Sequence, residues 1–491
     1  MRAGLRRADW VVAVGALVPL TLFLLRERQI AGAAGFPLDD SWIHLHFARN
    51  LAEGAGFSYN PGVAVAGSTA PLWTLLLAAG ALVAGPSLAL AKVLGVAATM
   101  AAGMLTRRAA LALGATPIVA LGAGVALVWT GALTWGALSG MEVSLAAALV
   151  AAALLAHARD ATLTAAILAS LAALARPEAI LLVPALLIAR PLCARRLLIF
   201  VAVPVIVLAP FVAFCVATVG APLPATAAAK IEGGLVGRFA GLSEPVRVAF
   251  VERPSAFLVE WARWLGATHW LLPVALPPAL AVVWWRHGRV LAAPLLTLLV
   301  HPIAMALLAP YRGPAFQEGR YSMHLLPLTV VALALAVTAA RRRVAVAAVV
   351  LYLTLALPAL VPAATRYGWA VQNINAMQVH LGRWIDRELP RDARLAVNDI
   401  GAIAYFSRRE VIDLMGLVTP AIIPYRREGE LGVLRYLVER CPDHVVIFPA
   451  WFPRLAARDD LLEALHRVRL PRNEVAGAAE MVVYRVKRCA V

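Results

Sequence analysis

Long apolar runs recur along this chain from Trp10 to Pro362, and they constrain its fold more than any other feature. A helix that crosses the hydrocarbon core of a bilayer needs about 20 consecutive apolar residues. The composition agrees, since 62% of the residues are hydrophobic and 15% are charged. After Pro362 the density of charged residues rises. The sequence therefore predicts a transmembrane domain over residues 1–365 and a second domain over residues 366–491.

We predict an all-α polytopic domain of about eleven transmembrane helices. The predicted spans are 10–25, 87–106, 109–133, 143–158, 161–175, 179–189, 197–218, 269–285, 290–309, 322–340 and 344–362. The run 71–84 is also apolar, but a helix of that length extends only about 21 Å, whereas the hydrocarbon core is about 30 Å thick. Residues 71–84 are therefore expected to lie along the membrane interface.

Arginine clusters between the spans predict the orientation of the chain. With a cytoplasmic N-terminus, every short inside segment carries Arg, as cytoplasmic loops usually do. These residues are Arg2, Arg6, Arg7, Arg107, Arg108, Arg159, Arg190, Arg195, Arg196, Arg286, Arg289, Arg341, Arg342 and Arg343. The outside segments are then 26–86, 134–142, 219–268, 310–321 and the tail. The expected location is a bacterial inner membrane, with any chemistry on the outer face, where a donor must be carried by a lipid because no nucleotide is present.

The net charge of +17 does not indicate a nucleic-acid partner. The basic residues lie in small groups between apolar runs, and no zinc-finger spacing, nucleotide-binding glycine loop or basic-aromatic array is present. Two of the four cysteines, Cys441 and Cys489, lie in the tail. They can form a disulfide if the tail is outside the cytoplasm, and two unpaired thiols are an equal alternative.

An acidic pair, Asp39-Asp40, stands in the first outside loop. It precedes a helical pattern in which Ile43, Phe47 and Leu51 recur at intervals of four residues. Asp40 or Ser41 is expected to cap this helix, which we expect at the membrane interface. Adjacent carboxylates repel each other, so such a pair can hold a cation, or one member can take a proton.

The motifs of this loop are similar to those of a known superfamily. The acidic pair, the helix, Asn60-Pro61-Gly62 and GST-PLW before an apolar run resemble the GT-C integral membrane glycosyltransferases. The group of the mycobacterial terminal arabinofuranosyltransferase is most similar, and the lipid A aminoarabinose transferase and protein mannosyltransferases are more distant. Further matching segments are 139–142 (SGME), 175–178 (ARPE), 222–230, 319–321 (GRY), 399–402 (DIGA) and 413–417 (DLMGL). One departure is Ala225, where relatives often have Asn.

The resemblance implies a GT-C fold, a polyprenyl-phosphate sugar donor, inversion at the anomeric carbon and an Asp base in the first loop. By this resemblance, either Asp39 or Asp40 is the predicted base. The acceptor is expected to be a cell-envelope glycan or lipid. A divalent cation, Mg²⁺ or Mn²⁺, is possible at the acidic pair, although two carboxylates alone do not specify one.

Glycosyl transfer also needs cations beside the leaving phosphate and polar groups that orient the sugar. We predict that the donor phosphate is bound by Lys230, Arg320 and Arg176. The remaining substrate contacts are predicted for Glu142, Glu178, His44 and Tyr321. Arg and Lys at helix ends are often only snorkelling anchors. Arg176 and Glu178 flank a break between apolar runs, where ionisable groups tend to be functional.

The tail is predicted to form a small extracytoplasmic α/β domain. Strands are expected at 394–399, 410–414, 444–450 and 480–486, and helices at 377–389, 431–440 and 459–468. Its expected role is to bind the acceptor or cover the site, and a packing role is an equal alternative. A transporter or flippase of lipid-linked sugars and a non-catalytic membrane scaffold are the competing functions. The sequence does not identify the sugar, the acceptor or the oligomeric state.

Overall fold

The computed structural model describes residues 2–487. The chain divides into two compact units. Unit 1 comprises Met1–Leu24, Lys92–Pro210 and Ile231–Ala364, and unit 2 comprises Leu25–Ala91, Phe211–Lys230 and Thr365–Val491. The predicted first outside loop and the tail therefore belong to the same unit, although about 300 residues separate them in the sequence.

Unit 1 is helical, and several of its helices continue beyond its boundaries. The helices are Arg2–Gly15, Leu17–Ala31, Leu88–Ala112, Pro117–Val128, Gly131–Leu138, Val143–Ala158, Thr162–Ala175, Pro177–Leu181, Leu182–Ile188, Ala194–Val219, Gly234–Phe239, Val248–Glu252, Arg253–Thr268, Leu272–His287, Arg289–Leu308, Phe316–Gly319, Met323–Leu325, Leu326–Thr338 and Arg342–Ile374. Within the described residues, six helical segments are long and apolar enough to cross a membrane, or up to eight if each of two bent helix pairs forms one span. The chain is a multi-pass membrane protein.

The number of long spans differs from the predicted eleven because several apolar runs form short or bent helices. Three predicted spans are helices of 10–17 residues, Val143–Ala158, Thr162–Ala175 and Pro177–Ile188. The run 71–84 is a separate 14-residue helix, Pro71–Ala84, as its length suggests. Pro117–Val128 lies within the predicted span 109–133, whereas Gly131–Leu138 begins at its end and runs into the predicted outside segment 134–142. The two helices meet at a bend of 54°.

The predicted loop at Arg107-Arg108 is wrong. A single helix, Leu88–Ala112, runs through both arginines. Arg107 is buried, and its Nε lies 2.9 Å from Oδ1 of Asp9, while Nε of Arg108 lies 2.9 Å from Oδ2 of the same residue. Because Asp9 pairs with both guanidinium groups and Arg108 is 47% exposed, the helix continues to Ala112, and Gly114 then adopts a positive φ of 99°.

Unit 2 combines the first-loop helices with a five-stranded sheet. Its helices are Asp40–Ala52, Pro71–Ala84, Ala225–Lys230, Asn375–Val379, His380–Glu388, Gly401–Ser407, Pro420–Ile422, Ile423–Arg427, Glu430–Arg440 and Pro453–Ala456. The strands are β1 (Arg394–Val397), β2 (Glu410–Asp413), β3 (His444–Ile447), β4 (Leu462–Arg469) and β5 (Glu480–Val486). The α/β character predicted for the tail is confirmed.

The sheet has the order β2-β1-β3-β5-β4. β1 pairs in parallel with β2 and β3, whereas β5 is antiparallel to β3 and β4. The predicted helix over 459–468 is wrong, because these residues form most of β4. The pairing of β4 with β5, which lies later in the chain, overrides the local helical pattern. In a parallel arrangement of this kind, the carboxyl ends of neighbouring strands meet at one edge.

The helix Asp40–Ala52 packs inside unit 2. All residues from Ser41 to Asn50 are buried, and Ile43 and Phe47 belong to the apolar core that includes Leu395 of β1. This differs from the expected interfacial helix, because protein covers both of its faces. The turn after it is also held by the sheet: the Asn60 side chain donates to the carbonyl of Val411 in β2 at 2.8 Å and accepts from its N–H at 2.9 Å.

Candidate active site

Asp39 binds the tail. Its side chain is buried, with Oδ2 accepting the N–H of Gly401 at 2.5 Å and Oδ1 accepting the N–H of Ala402 at 2.7 Å. A side chain at position 401 would collide with the Asp39 backbone, so this approach requires glycine. Asp39 precedes its own helix but makes no capping hydrogen bond there, and the expected alternative caps Asp40 and Ser41 lie within the helix. Its carboxyl group instead caps the helix Gly401–Ser407.

Asp399, just beyond the carboxyl end of β1, contacts the same carboxyl group. The carboxyls of Asp39 and Asp399 are hydrogen-bonded, and Nε2 of the buried Gln378 donates to Oδ2 of Asp399 at 2.6 Å. Burial, followed by the charge of Asp399, raises the pKa of Asp39, and burial raises the pKa of Asp399. Two carboxyls that touch in a buried site favour a state in which they share one proton.

Asp40 and Lys230 lie beside Asp39 and Asp399, and both are more exposed than Asp39. Nζ of Lys230 lies 3.6 Å from Oδ2 of Asp40, and the two side chains are 20% and 28% exposed. Asp399 experiences the charges of both. We call Asp39, Asp40, Asp399 and Lys230 the acidic cluster. It joins three residues predicted from the sequence and one that was not assigned to the site, and it holds three carboxyl groups and one ammonium group.

The loop that carries Lys230 is fixed by backbone contacts within unit 2. The N–H of Ala225 donates to the carbonyl of Ala66 at 2.8 Å. The Thr226 hydroxyl donates to the carbonyl of Gly67 and, at 3.1 Å, to that of Leu417. Lys230 is the last residue of the short helix Ala225–Lys230 that begins at these contacts. Its position therefore depends on both the first loop and the segment after β2.

Asp413 shapes that segment after β2. Its Oδ1 accepts the N–H of Met415 at 2.8 Å and its Oδ2 accepts the N–H of Val418 at 2.9 Å. Burial raises the pKa of Asp413 to about 6, against these hydrogen bonds, which lower it. The carboxyl closes the turn that presents the Leu417 carbonyl to Thr226.

The other predicted ionisable residues, except His44, lie in unit 1. Arg176 is buried and forms ion pairs with Glu142, which is also buried, and with Glu178, whose Oε2 is 3.1 Å from the Arg176 Nε. Its guanidinium stacks 4.4 Å from the ring centroid of Tyr321. We call Glu142, Arg176 and Glu178 the paired cluster.

Arg320 follows an unusual stretch of backbone in unit 1. Gln317, Glu318 and Gly319 have φ values of 50°, 61° and 80°, in the left-handed region that disfavours the first two residue types. The Trp264 indole donates to the carbonyl of Glu318 at 2.9 Å and fills the space beside Gly319. Arg320 is buried, and one of its nitrogens lies 3.3 Å from the Tyr321 hydroxyl. Backbone strain of this kind persists where the surrounding packing holds it, often at functional sites.

His44 lies in a hydroxyl network in unit 2. Its Nδ1 is 3.3 Å from the Ser68 hydroxyl and 3.4 Å from the Thr74 hydroxyl. The side chain is buried. Both contacts involve the same ring nitrogen, Nδ1, and they fix the orientation of the imidazole.

Sequence analysis missed Asp399 and Gln378 as site residues. The DIGA motif contains Asp399, but the resemblance assigns this motif to the tail and not to the site. The available signal was the position of an acidic residue directly after a predicted strand and before a glycine, which is typical of sites at the carboxyl ends of parallel strands. Gln378 lies in an amphipathic segment with no distinguishing pattern.

Groups of the protein itself contact the carboxyl groups of the acidic cluster. Among residues 2–487, no group of three or more His, Cys, Asp or Glu side chains is arranged to hold a metal. Asp39 accepts two backbone N–H groups, Asp399 accepts from Gln378, and the Lys230 ammonium lies beside Asp40. Lys230 therefore supplies the positive charge of this cluster.

Comparison with solved structures identifies the fold. ArnT from Cupriavidus metallidurans, bound to undecaprenyl phosphate, is 13% identical with a TM-score of 0.59, over 98% of this chain and 99% of that one. The Archaeoglobus fulgidus oligosaccharyltransferase, in complex with Zn and sulfate, is 13% identical with a TM-score of 0.58, over 89% of this chain and 67% of that one. Arabinofuranosyltransferase AftD from Mycobacteria is 18% identical with a TM-score of 0.50, over 97% of this chain and 40% of that one.

These three proteins are GT-C glycosyltransferases, so this chain has the GT-C fold. Residues 371–484 match a domain of unknown function (DUF8728). A search of curated proteins finds no match. The predicted resemblance to the GT-C superfamily is confirmed at the level of the fold.

Proposed function

We propose that this chain is an inverting glycosyltransferase that moves a sugar from a polyprenyl-phosphate donor to a cell-envelope glycan or lipid. The observation that carries the proposal is the acidic cluster, in which Asp40 and Lys230 are accessible and adjacent. The similar proteins support a lipid-linked donor, since ArnT was solved with undecaprenyl phosphate and the oligosaccharyltransferase with dolichol phosphate and a peptide.

Asp40 is the proposed general base. In the reaction the acceptor hydroxyl oxygen attacks the anomeric carbon, the bond from that carbon to the phosphate oxygen breaks, and the hydroxyl proton passes to the carboxylate. Asp40 is better placed than Asp39 for this role, because its side chain is 28% exposed whereas Asp39 is 5% exposed and binds two backbone N–H groups. A base must be able to reach its proton.

Lys230 is the proposed partner of the leaving phosphate. Negative charge grows on polyprenyl phosphate as it leaves, and an ammonium group stabilises that charge. Lysine has a flexible four-carbon stem, so its ammonium can turn from Asp40 to a bound phosphate. This movement also separates the base from the cation. An inverting reaction needs that separation, because the acceptor attacks the anomeric carbon on the face opposite the leaving phosphate.

Asp39 and Asp399 are proposed to position the base. Their shared proton and the N–H groups of Gly401 and Ala402 hold the residue before Asp40 against the tail. A neutral Asp39 also removes one negative charge next to Asp40. The tail domain then takes part in the site through Asp399, in addition to the proposed role in acceptor binding.

The predicted residues of unit 1, and His44 of unit 2, keep narrower roles in this proposal. Arg176 is not assigned to the donor phosphate, because its charge is already compensated by Glu142 and Glu178. Contacts of Arg320, Tyr321 and His44 with donor or acceptor stay predictions. No step uses a divalent cation.

We also infer that the acidic cluster faces the outside of the inner membrane, with the N-terminus in the cytoplasm. The Arg distribution supports this orientation. Cys441 is disulfide-bonded, which is typical of proteins outside the reducing cytoplasm. Its predicted partner, Cys489, lies outside the described residues.

The test is a donor panel. The purified protein in lipid is incubated with polyprenyl-phosphate sugars and acceptor extracts, and release of polyprenyl phosphate is measured. We expect release with at least one donor, loss of release in Asp40→Asn, and full release in Asp392→Asn, which removes an exposed carboxylate elsewhere in the tail. Donor movement across the bilayer without release of polyprenyl phosphate would support the flippase alternative and contradict the proposal.

A further inference from the structure

Unit 1 contains an apolar cavity that the proposed reaction does not use. It has a volume of about 200 Å³ and lies between the helices Pro117–Val128, Leu326–Thr338 and Arg342–Ile374 and the start of Leu272–His287. Its lining is aliphatic apart from Tyr352, and includes Ala123, Leu333, Ala334, Val337, Val349 and Leu353. Apolar cavities of this kind exclude water, so within a bilayer a hydrocarbon chain is their natural occupant.

A cationic turn lies between two walls of this cavity. The helices Leu326–Thr338 and Arg342–Ile374 are joined by a turn that continues into Arg341, Arg342 and Arg343. All three side chains are exposed, and none has a carboxylate partner within residues 2–487. The buried arginines of this unit, Arg107 and Arg176, are by contrast paired with acids. The turn therefore presents uncompensated positive charge.

The same arginines begin a second apolar surface. Arg342 and Arg343 line an open groove along the helix Arg342–Ile374, together with Val346, Val350 and Thr354. Leu351 lines both this groove and the cavity. The helix thus separates two apolar surfaces, and both extend from the region of the arginine turn.

We propose that this region binds an anionic phospholipid of the bilayer, with its phosphate on the Arg341–Arg343 turn, one acyl chain in the cavity and the other in the groove. Two apolar surfaces on either side of one helix match a lipid with two chains, whereas a polyprenyl phosphate has one. Basic residues at the membrane surface attract anionic headgroups. Arginine clusters also serve as orientation signals, but an orientation signal requires no adjoining cavity.

The site shares no residue with the acidic cluster, so it stands independently of the proposed catalytic function. It predicts that the protein retains an anionic phospholipid through purification. The headgroup and the cavity make separable contributions, which allows each to be tested by its own variant.

The experiment measures phosphatidylglycerol and phosphatidylcholine retained by the full-length protein after reconstitution in an equimolar mixture of the two lipids, by native mass spectrometry. We expect wild type to retain phosphatidylglycerol preferentially. The double variant Arg342→Gln/Arg343→Gln is expected to lower this preference about 25-fold, because each Arg near an anionic headgroup contributes about a factor of five. The matched control, Arg286→Gln/Arg289→Gln, removes two exposed arginines that line neither surface and should retain the preference.

A third variant, Ala334→Phe, fills the cavity while keeping the arginines. It should reduce retained phosphatidylglycerol, and the thermal unfolding temperature of each variant reports whether it has folded. Equal retention of the two lipids by wild type would overturn the proposal. So would unchanged retention in the Arg342/Arg343 variant, or displacement of phosphatidylglycerol by equimolar undecaprenyl phosphate, which would assign the site to the carrier.

Discussion

Each of the two units contains a group of charged side chains. The two groups differ in the ratio of carboxyl groups to cations and in the exposure of their members. The paired cluster of unit 1 places one guanidinium between two carboxylates, and its Arg176 and Glu142 are almost fully buried. The acidic cluster of unit 2 has three carboxyl groups for one ammonium, and Asp40 and Lys230 reach the surface.

This difference separates a charged group that supports the fold from one that can react. A buried ion pair gains little from a change of protonation, and losing one partner leaves an uncompensated charge. A cluster with excess carboxyl groups and exposed members can accept a proton and bind a charged substrate. The predictions below test whether the two clusters divide in this way.

The largest effect is expected for Asp40→Asn. Removing a general base costs about 10²–10⁴-fold in rate, so turnover in the donor assay should fall by that factor. The thermal unfolding temperature should stay close to that of wild type, because Asp40 is partly exposed and isosteric with Asn. A large loss of stability with residual activity would remove Asp40 from the role of base and make the acidic cluster structural.

Arg176→Met is expected to act on stability first. It leaves the buried Glu142 without its guanidinium partner, which costs about 3–5 kcal/mol. Unfolding in detergent should therefore occur at a clearly lower temperature. The double variant Arg176→Met/Glu142→Gln removes both charges of the buried Arg176–Glu142 pair and should recover much of the loss. Without recovery in the double variant, the paired cluster would have a role other than charge compensation.

Asp413 offers a third test, because it is a buried carboxyl of unit 2 that lies outside the acidic cluster. Its pKa of about 6 exceeds the ordinary value of 3.8, so the folded state binds the proton more tightly than the unfolded state. The contribution of this carboxyl to stability is full below pH 3.8 and is lost as the pH rises through about 6. The loss is at most about 3 kcal/mol.

The measurement compares the unfolding temperature of wild type and Asp413→Asn from pH 4 to pH 7. The stability of wild type relative to the variant should fall across this range, since Asn does not titrate. Parallel pH profiles for the two proteins would show that the buried carboxyl does not control this turn.

Sequence reasoning found the parts of these clusters that local patterns define. Helical spacing predicted the helix Asp40–Ala52. The order of the motifs predicted that Asp39, Asp40 and Lys230 belong to the same site. Asp399 lies 360 positions after Asp39, and only the folded sheet brings its carboxyl into contact with the first loop. No periodicity within either segment encodes that contact.

Tertiary pairing also explains the errors in secondary structure. The segment 459–468 has a helical pattern, yet Leu462–Arg469 is an edge strand because β5 supplies its hydrogen bonds. Arg107 and Arg108 indicate a loop when charges are assumed to face water, but both pair with Asp9 and lie in a continuous helix. In each case the deciding partner is distant in the sequence.

The smallest effect is expected for Lys230, and it sharpens the comparison most directly. Lys230→Met removes the only ammonium of the acidic cluster, whereas Lys230→Arg keeps the positive charge. Because the side chain is 20% exposed, solvent screens part of its interaction, and we expect Lys230→Met to lower kcat/KM by about tenfold, or about 1.4 kcal/mol. Lys230→Arg should retain most of the activity, since guanidinium also binds phosphate. If Lys230 served only to compensate Asp40, as Arg176 does for Glu142, then Lys230→Met would change the unfolding temperature and leave the response to donor concentration unaltered.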